Sequence, residues 1–273
     1  MISFVGAGPG APDLITLRGA NRLAHADVVI WASSLVPELV LTYARADAVL
    51  HDSAEMTLED VLAVYEATPC ERYVVRLHSG DPAIYGAIQE QIDWCMAAGR
   101  SFEIVPGVSS LAGAAALIGR ELTIPRVAQS VVITRLGGRT KASMPERESV
   151  AAFAAIGATT AIFLAGARAG ELVDELLARG SAYTPDTPAA VVVRATWPDE
   201  QLVRTTVGGL AAAMASTGAT RTVLVLVGEA LVPPDGHGRV ARSHLYNPSF
   251  AHTFRKRSVP GTTTGRPASR RRR

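Results

Sequence analysis

Short apolar runs alternate with helical patterns along almost the whole of this 273-residue chain, and that alternation confines it to α/β layering. Strand-like runs fall at 2–5, 28–31, 48–51, 73–77 and 102–105, with helical patterns near 16–25, 57–67 and 84–97 between them. Thr57 followed by Asp60 reads as the start of a capped helix. A helix of small residues over 109–118, with Gly113 among alanines, closes this half and suits close packing. The pattern breaks at Arg120 to Pro125 and restarts with runs at 131–134, 160–164, 189–194 and 223–227. Helices near 149–156, 168–179 and 208–215 separate these runs. The segment 196–207 alternates polar and apolar residues as an antiparallel strand does, so the second sheet is expected to be mixed. The length suits two domains of roughly 100–150 residues each. They are expected at 1–119 and 129–250, with a linker at 120–128 and a basic, disordered tail at 251–273. A cleft between two α/β domains is a favoured place for a small ligand.

The first strand runs into Gly6-Ala7-Gly8-Pro9-Gly10-Ala11-Pro12-Asp13, in which Gly6, Gly8 and Ala11 satisfy the dinucleotide fingerprint. Physical chemistry argues against that reading. A phosphate-binding turn needs free backbone N–H groups at the start of a helix, and Pro9 and Pro12 each remove one. The helical pattern begins later, with Thr16 as its N-cap. No acid stands at the end of the second strand, where Val28 to Trp31 runs into Ala32-Ser33-Ser34, to take a ribose hydroxyl. A plain tight turn, or a glycine loop for a ligand without a pyrophosphate, remains.

Three more loops after strands hold residues that ask for an explanation. They are His78-Ser79-Gly80-Asp81-Pro82-Ala83-Ile84-Tyr85-Gly86, then Val105-Pro106-Gly107-Val108-Ser109-Ser110, then Phe163-Leu164-Ala165-Gly166. Asp81 as N-cap with Pro82 at the first helical position, and Ser109 as N-cap, are the purely structural readings. All four loops, however, fall at the C-terminal ends of strands, where open α/β sheets bind ligands. No Ser-His-Asp set, carboxylate pair or metal cluster stands out, and Cys70 and Cys95 propose neither a disulfide framework nor a metal site.

The net charge of +2 hides an asymmetry. Eight Arg or Lys and no acid lie between Arg255 and Arg273, leaving 19 basic against 25 acidic residues in the body. The tail is rich in Gly, Pro, Ser and Thr and lacks aromatic residues beyond Phe254, which argues against nucleic-acid binding. No apolar run reaches the ~18 residues that span a bilayer, and no signal-like segment opens the chain, so a cytoplasmic protein without a membrane partner is expected.

Taken in order, Val5-Gly6-Ala7-Gly8-Pro9-Gly10, Gly80-Asp81-Pro82 and Pro106-Gly107-Val108-Ser109-Ser110 resemble the tetrapyrrole (corrin/porphyrin) methyltransferase family, and the resemblance spans residues 1–257. Ala87 stands where uroporphyrinogen-III methylases carry an arginine; Trp31 to Val36 and Ser243 to Pro248 resemble instead a precorrin-methylating branch. The resemblance implies two α/β domains of the non-Rossmann, class III type, with the active site in the cleft between them. It also implies S-adenosyl-L-methionine as methyl donor, a tetrapyrrole (precorrin) as substrate, and a homodimer. The cofactor would lie among Pro9, Gly80, Asp81, Pro82, Ile84, Tyr85, Ser109, Ser110, Leu164, Ala190 and Thr222. The substrate's carboxylate arms need cations, for which Arg135, Arg139, Lys141 and Arg168 are the first candidates and Arg126 and Arg194 further ones. A proton must leave the carbon after methylation; His78, Glu90, Tyr85 or water can assist, and no catalytic base is assigned. Other precorrin or uroporphyrinogen-III C-methylation, and RNA- or protein-directed methylation on the same fold, are the alternatives, with a nicotinamide oxidoreductase furthest away.

Overall fold

The computed structural model describes residues 1–137 and 142–232, together with 243, 245, 247, 248, 250, 251 and 253. Its first half is a five-stranded parallel sheet ordered β3-β2-β4-β1-β5. The strands are β1 (Ile2–Gly6), β2 (Val28–Trp31), β3 (Val49–Asp52), β4 (Val74–His78) and β5 (Phe102–Val105). Every residue of β1 is buried, as expected of a strand covered on both faces. One face packs Val5, Val29, Val75 and Leu77 beneath α1 (Leu17–Ala24) through Leu23. The other packs Ile2, Phe4, Ile30 and Val74 against α2 (Leu58–Ala67) and α3 (Gln89–Ala97) through Val61, Tyr65, Ile92 and Cys95. Thr16 caps α1 by accepting from Gly19 N, and Thr57 with Asp60 forms the reciprocal capping box of α2, both as the sequence suggests.

The second half is a five-stranded mixed sheet ordered β6-β7-β10-β8-β9. β6 (Val131–Arg135) and β7 (Thr159–Phe163) run parallel; β10 (Val223–Val227) is antiparallel to β7 and to β8 (Pro188–Val193), and β8 is antiparallel to β9 (Gln201–Thr206). One face is covered by α5 (Val150–Ala154), α6 (Ala169–Leu176) and α7 (Leu210–Thr217), whose Leu172, Leu176, Leu210 and Met214 meet Val191, Val193, Val225 and Val227.

The opposite face is covered by α4 (Ser110–Ile118), although α4 follows directly on β5 of the first sheet. Its Ala114 and Ile118 are buried among Ala161, Ala190, Val192, Leu224 and Leu226. Helix residues this small let the helix approach the sheet closely, and Arg204 from β9 donates to the Ile118 carbonyl at 2.6 Å. Arg120 Nε donates to Ala230 O at 3.0 Å and Thr159 Oγ1 to Leu122 O at 2.9 Å, fastening the connecting segment to the second sheet. Among the described residues, no helix is long and apolar enough to cross a membrane.

Candidate functional site

Because the first sheet is wholly parallel, the C-terminal ends of β1, β4 and β5 lie along one edge and their loops meet there. The glycine loop after β1 and the loop after β4 pair through their backbones: Ala7 N donates to His78 O at 2.7 Å and Gly80 N to Gly8 O at 2.8 Å. The loop after β5 presses into the same seam. A Cβ on Gly107 would overlap the Gly80 carbonyl oxygen and come within 2.7 Å of Gly6 Cα, so three glycines let three backbones touch.

Asp81 fixes this junction. One carboxylate oxygen accepts from Ala83 N at 2.8 Å, and the other accepts from Gly107 N at 2.9 Å, tying the β4 loop to the β5 loop. The reading of Asp81 and Pro82 as the start of a helix over 84–97 is thereby corrected. α3 begins only at Gln89, and Tyr85 and Ala87 adopt φ of 57° and 50°. The intervening turn folds back so tightly that a Cβ on Gly86 would overlap Pro82 O. Ser109 does serve as the N-cap of α4, accepting from Leu111 N.

The second sheet presents an opposing edge made of the end of β7, the start of β10 and the end of β8. Its turns hold four residues in the left-handed region: Leu164 (57°), Thr222 (52°), Arg194 (48°) and Thr196 (69°). Non-glycine residues pay about 1–2 kcal/mol each for such a conformation, and clusters of them mark places where side chains are held for a purpose. Arg194 N donates to Thr222 O at 3.0 Å, linking two of the four. The two edges meet where the Tyr85 ring stands 5.3 Å from the Phe163 ring, tilted by 53°. Tyr85 is 47% exposed and Leu164 65% exposed, giving the cleft an open apolar wall.

Of the residues named from sequence, Pro9, Gly80, Asp81, Pro82, Ile84, Tyr85, Ser109 and Ser110 therefore belong to the loops of the first edge, and Leu164 and Thr222 to the second. Ala190 is different. It is buried within β8, paired with Leu226 and Arg204, and its side chain packs in the layer beneath α4. Arg135, at the end of β6, donates to Ser143 Oγ at 2.9 Å. Its charge lies close enough to oppose the rise that partial burial produces in the Tyr85 hydroxyl's pKa. Arg168 pairs with Glu171 at 2.5 Å, one turn into its own helix. Arg139 and Lys141 lie outside the described residues. Arg126 is exposed in the segment joining the halves, with φ of 65°.

His78 is unsuited to receiving a proton from a ligand in the cleft. It is only 7% exposed, its Nε2 has no hydrogen-bond partner, and burial, helped by the neighbouring Arg76 charge, pulls its pKa down to about 3. Two residues that sequence reasoning passed over join the halves directly. Trp197 Nε1 donates to Pro9 O at 3.0 Å, and Thr196 Oγ1 accepts from Ala11 N at 2.9 Å. The available signal was a tryptophan beside Pro198 and Asp199, a turn composition inside a segment read as strand.

Paired loops, a tyrosine and an aliphatic wall, and no dinucleotide turn are the geometry with which known proteins can be compared. The family model for Tetrapyrrole (Corrin/Porphyrin) Methylases matches residues 1–211. The cobalt-precorrin-4 C(11)-methyltransferase of Methanocaldococcus jannaschii is 45% identical over 256 residues, covering 93% of this chain and 96% of that protein. The precorrin-4 C(11)-methyltransferase of Pseudomonas aeruginosa is 42% identical over 255 residues, covering 93% and 98%. Among solved structures, a cobalt precorrin-4 methyltransferase of cobalamin biosynthesis superposes with a TM-score of 0.80 at 42% identity, covering 85% of this chain and 96% of that one. A uroporphyrin-III C-methyl transferase from Thermus thermophilus, complexed with S-adenosyl homocysteine, gives 0.69 at 28% identity, covering 84% and 98%. With a family model matching residues 1–211 and relatives 42–45% identical over 93% of its length, this chain belongs to the tetrapyrrole (corrin/porphyrin) methylases.

Proposed function

We propose that this chain methylates precorrin-4, or its cobalt-containing counterpart, at C-11, giving the precorrin-5 level of cobalamin biosynthesis, with S-adenosyl-L-methionine as donor. The observation that carries the reading is nearly full-length similarity, at 42–45% identity, to relatives named for that reaction. A cytoplasmic homodimer is the setting the family implies.

The residues of the cleft suit such a donor. Backbone crowds the seam at Gly6 and Gly107, Gly80 turns at positive φ against the start of α4, and Tyr85 and Leu164 stand exposed on strained backbone. An adenosyl group asks for such apolar cover together with backbone hydrogen bonds. Pro9, the turn 80–85, Ser109, Ser110, Leu164 and Thr222 would hold it. When bound, it supplies an electrophilic methyl group on a good leaving group.

Transfer forms a bond from the substrate carbon to methyl, breaks the methyl–sulfur bond and releases a proton from the macrocycle. The protein's contribution is to hold nucleophile and methyl in line, for which positioning alone can account for about 7–11 kcal/mol of barrier. Asp81 contributes as a brace, since both its oxygens are engaged by backbone N–H groups that hold the loops together. Arg135, at the end of β6 and with its charge felt at the Tyr85 hydroxyl, is the candidate cation for a carboxylate arm of the tetrapyrrole.

Incubation with S-adenosylmethionine labelled in its methyl group and with precorrin-4, followed by NMR of the product, is expected to place the label at C-11. Label at another ring carbon would overturn the regiochemistry. Retention of full activity after deletion of residues 258–273 separates this reading from RNA-directed methylation, which would weaken.

A further inference from the structure

The turn from Arg194 to Glu200 is more elaborate than a strand connection requires. It leaves β8 with two non-glycine residues at positive φ, Arg194 and Thr196. Three contacts stiffen it. Arg194 pairs with Asp199, the Arg194 guanidinium sits 5.6 Å from the centroid of the Trp197 ring, and Thr196 N donates to a Glu200 carboxylate oxygen at 2.7 Å. What this stiffened turn reaches is the glycine loop of the other half. The Trp197 indole N–H holds the Pro9 carbonyl at 3.0 Å, and the Thr196 hydroxyl receives Ala11 N at 2.9 Å.

Two glycines make room for that grip. A Cβ on Gly10 would overlap the Trp197 ring, and a Cβ on Gly113 of α4 would stand 3.2 Å from Pro9 and 3.4 Å from Thr196. Pro9 is thus buried between α4 on one side and the Thr196–Trp197 turn on the other. The pairing with the β4 loop ends at Gly8 and a short 3-10 turn starts at Pro12, so these contacts hold the span between them, where loss of backbone freedom costs about 1–2 kcal/mol per residue.

We infer that the 194–200 turn is a clasp, in which Trp197 and Thr196 act as positioning residues that immobilise the Pro9–Ala11 backbone and so pre-order the wall against which the methyl donor binds. The inference rests on the proposed function in taking that loop as part of the donor site. The ordering is done in the folded protein, so binding the donor does not have to do it. Its signature falls on donor affinity and spares the affinity for the tetrapyrrole.

The test is calorimetric titration with S-adenosylhomocysteine, alongside steady-state kinetics with both substrates, of wild type, Trp197→Phe and Thr196→Val. Each variant removes one hydrogen bond and retains most of the packing. The expected result is a rise of about fivefold to tenfold in Kd for S-adenosylhomocysteine and in KM for S-adenosylmethionine, as suits a lost hydrogen bond. KM for the tetrapyrrole should stay within about twofold. Thr196→Val keeps the test alive should Trp197→Phe not fold. Unchanged donor affinity in a folded variant, or an equal rise in both KM values, would overturn the clasp. Failure of wild type to bind S-adenosylhomocysteine would instead overturn the donor-site reading beneath it.

Discussion

Gly80 and Gly107 touch the same seam yet answer differently to a methyl group. Gly80 has φ of 65°, but a Cβ there meets nothing nearer than 3.6 Å, so Gly80→Ala costs backbone strain alone. That is about 1–2 kcal/mol, or a few degrees in Tm for a chain of this size. A Cβ on Gly107 runs into backbone on both sides, at Gly80 O and Gly6 Cα, and no side chain is there to swing away. Gly107→Ala is therefore expected to lower Tm by at least twice as much as Gly80→Ala. Thermal melts of the two variants check this. His78 makes a different kind of prediction. Its folded pKa, about 3, lies below the ordinary 6.5, so the stability it confers is complete above about pH 6.5 and is lost as the pH falls toward 3. Between pH 7.5 and 5 the unfolded chain takes up that proton and the folded chain does not, a loss of about 2 kcal/mol. Urea denaturation at the two pH values is expected to show that loss in wild type and to show it diminished in His78→Gln.

Elements whose ends are decided locally were legible in the sequence. Strands such as β1, β8 and β10 came from continuous apolar runs because strands covered on both faces tolerate little else, whereas β9 came from its polar–apolar alternation. The starts of α1, α2 and α4 came from Thr16, Thr57 and Ser109, whose side chains do accept the expected backbone N–H groups. The start of α3 was not legible, because Asp81-Pro82 has the chemistry of a helix start while its carboxylate is used elsewhere, on Gly107 N, 26 positions along the chain. Positive φ at Tyr85, Leu164 and Thr222 likewise leaves no mark in residue type, since tertiary contacts impose it. The Trp197 clasp was missed for the same reason. Its partner, Pro9 O, is a backbone atom 188 positions away, and backbone acceptors carry no sequence signature. Sequence pointed to loops that the fold gathers along facing sheet edges, but not to the contacts that bind one loop to another.

At the scale of the molecule, chain order and packing order disagree at α4. The helix continues from the first sheet, yet its buried face belongs to the second, and Arg204 of β9 holds its last turn through Ile118 O. Arg204→Met keeps an apolar stem there and removes the donor. The expected outcome is a loss of about 1–3 kcal/mol in global stability, with faster hydrogen exchange concentrated in the amides of α4. The crossing has a consequence for how the protein is born. A ribosome that has released residues 1–118 has made every strand of the first sheet, but Ala161, Ala190, Leu224 and Leu226, which cover α4, are still untranslated. At synthesis rates of about 5–20 residues per second, β10 follows on the order of ten seconds later. Through that interval an apolar helix beside the nascent glycine loop waits without its cover, and the second sheet completes the first half as well as itself.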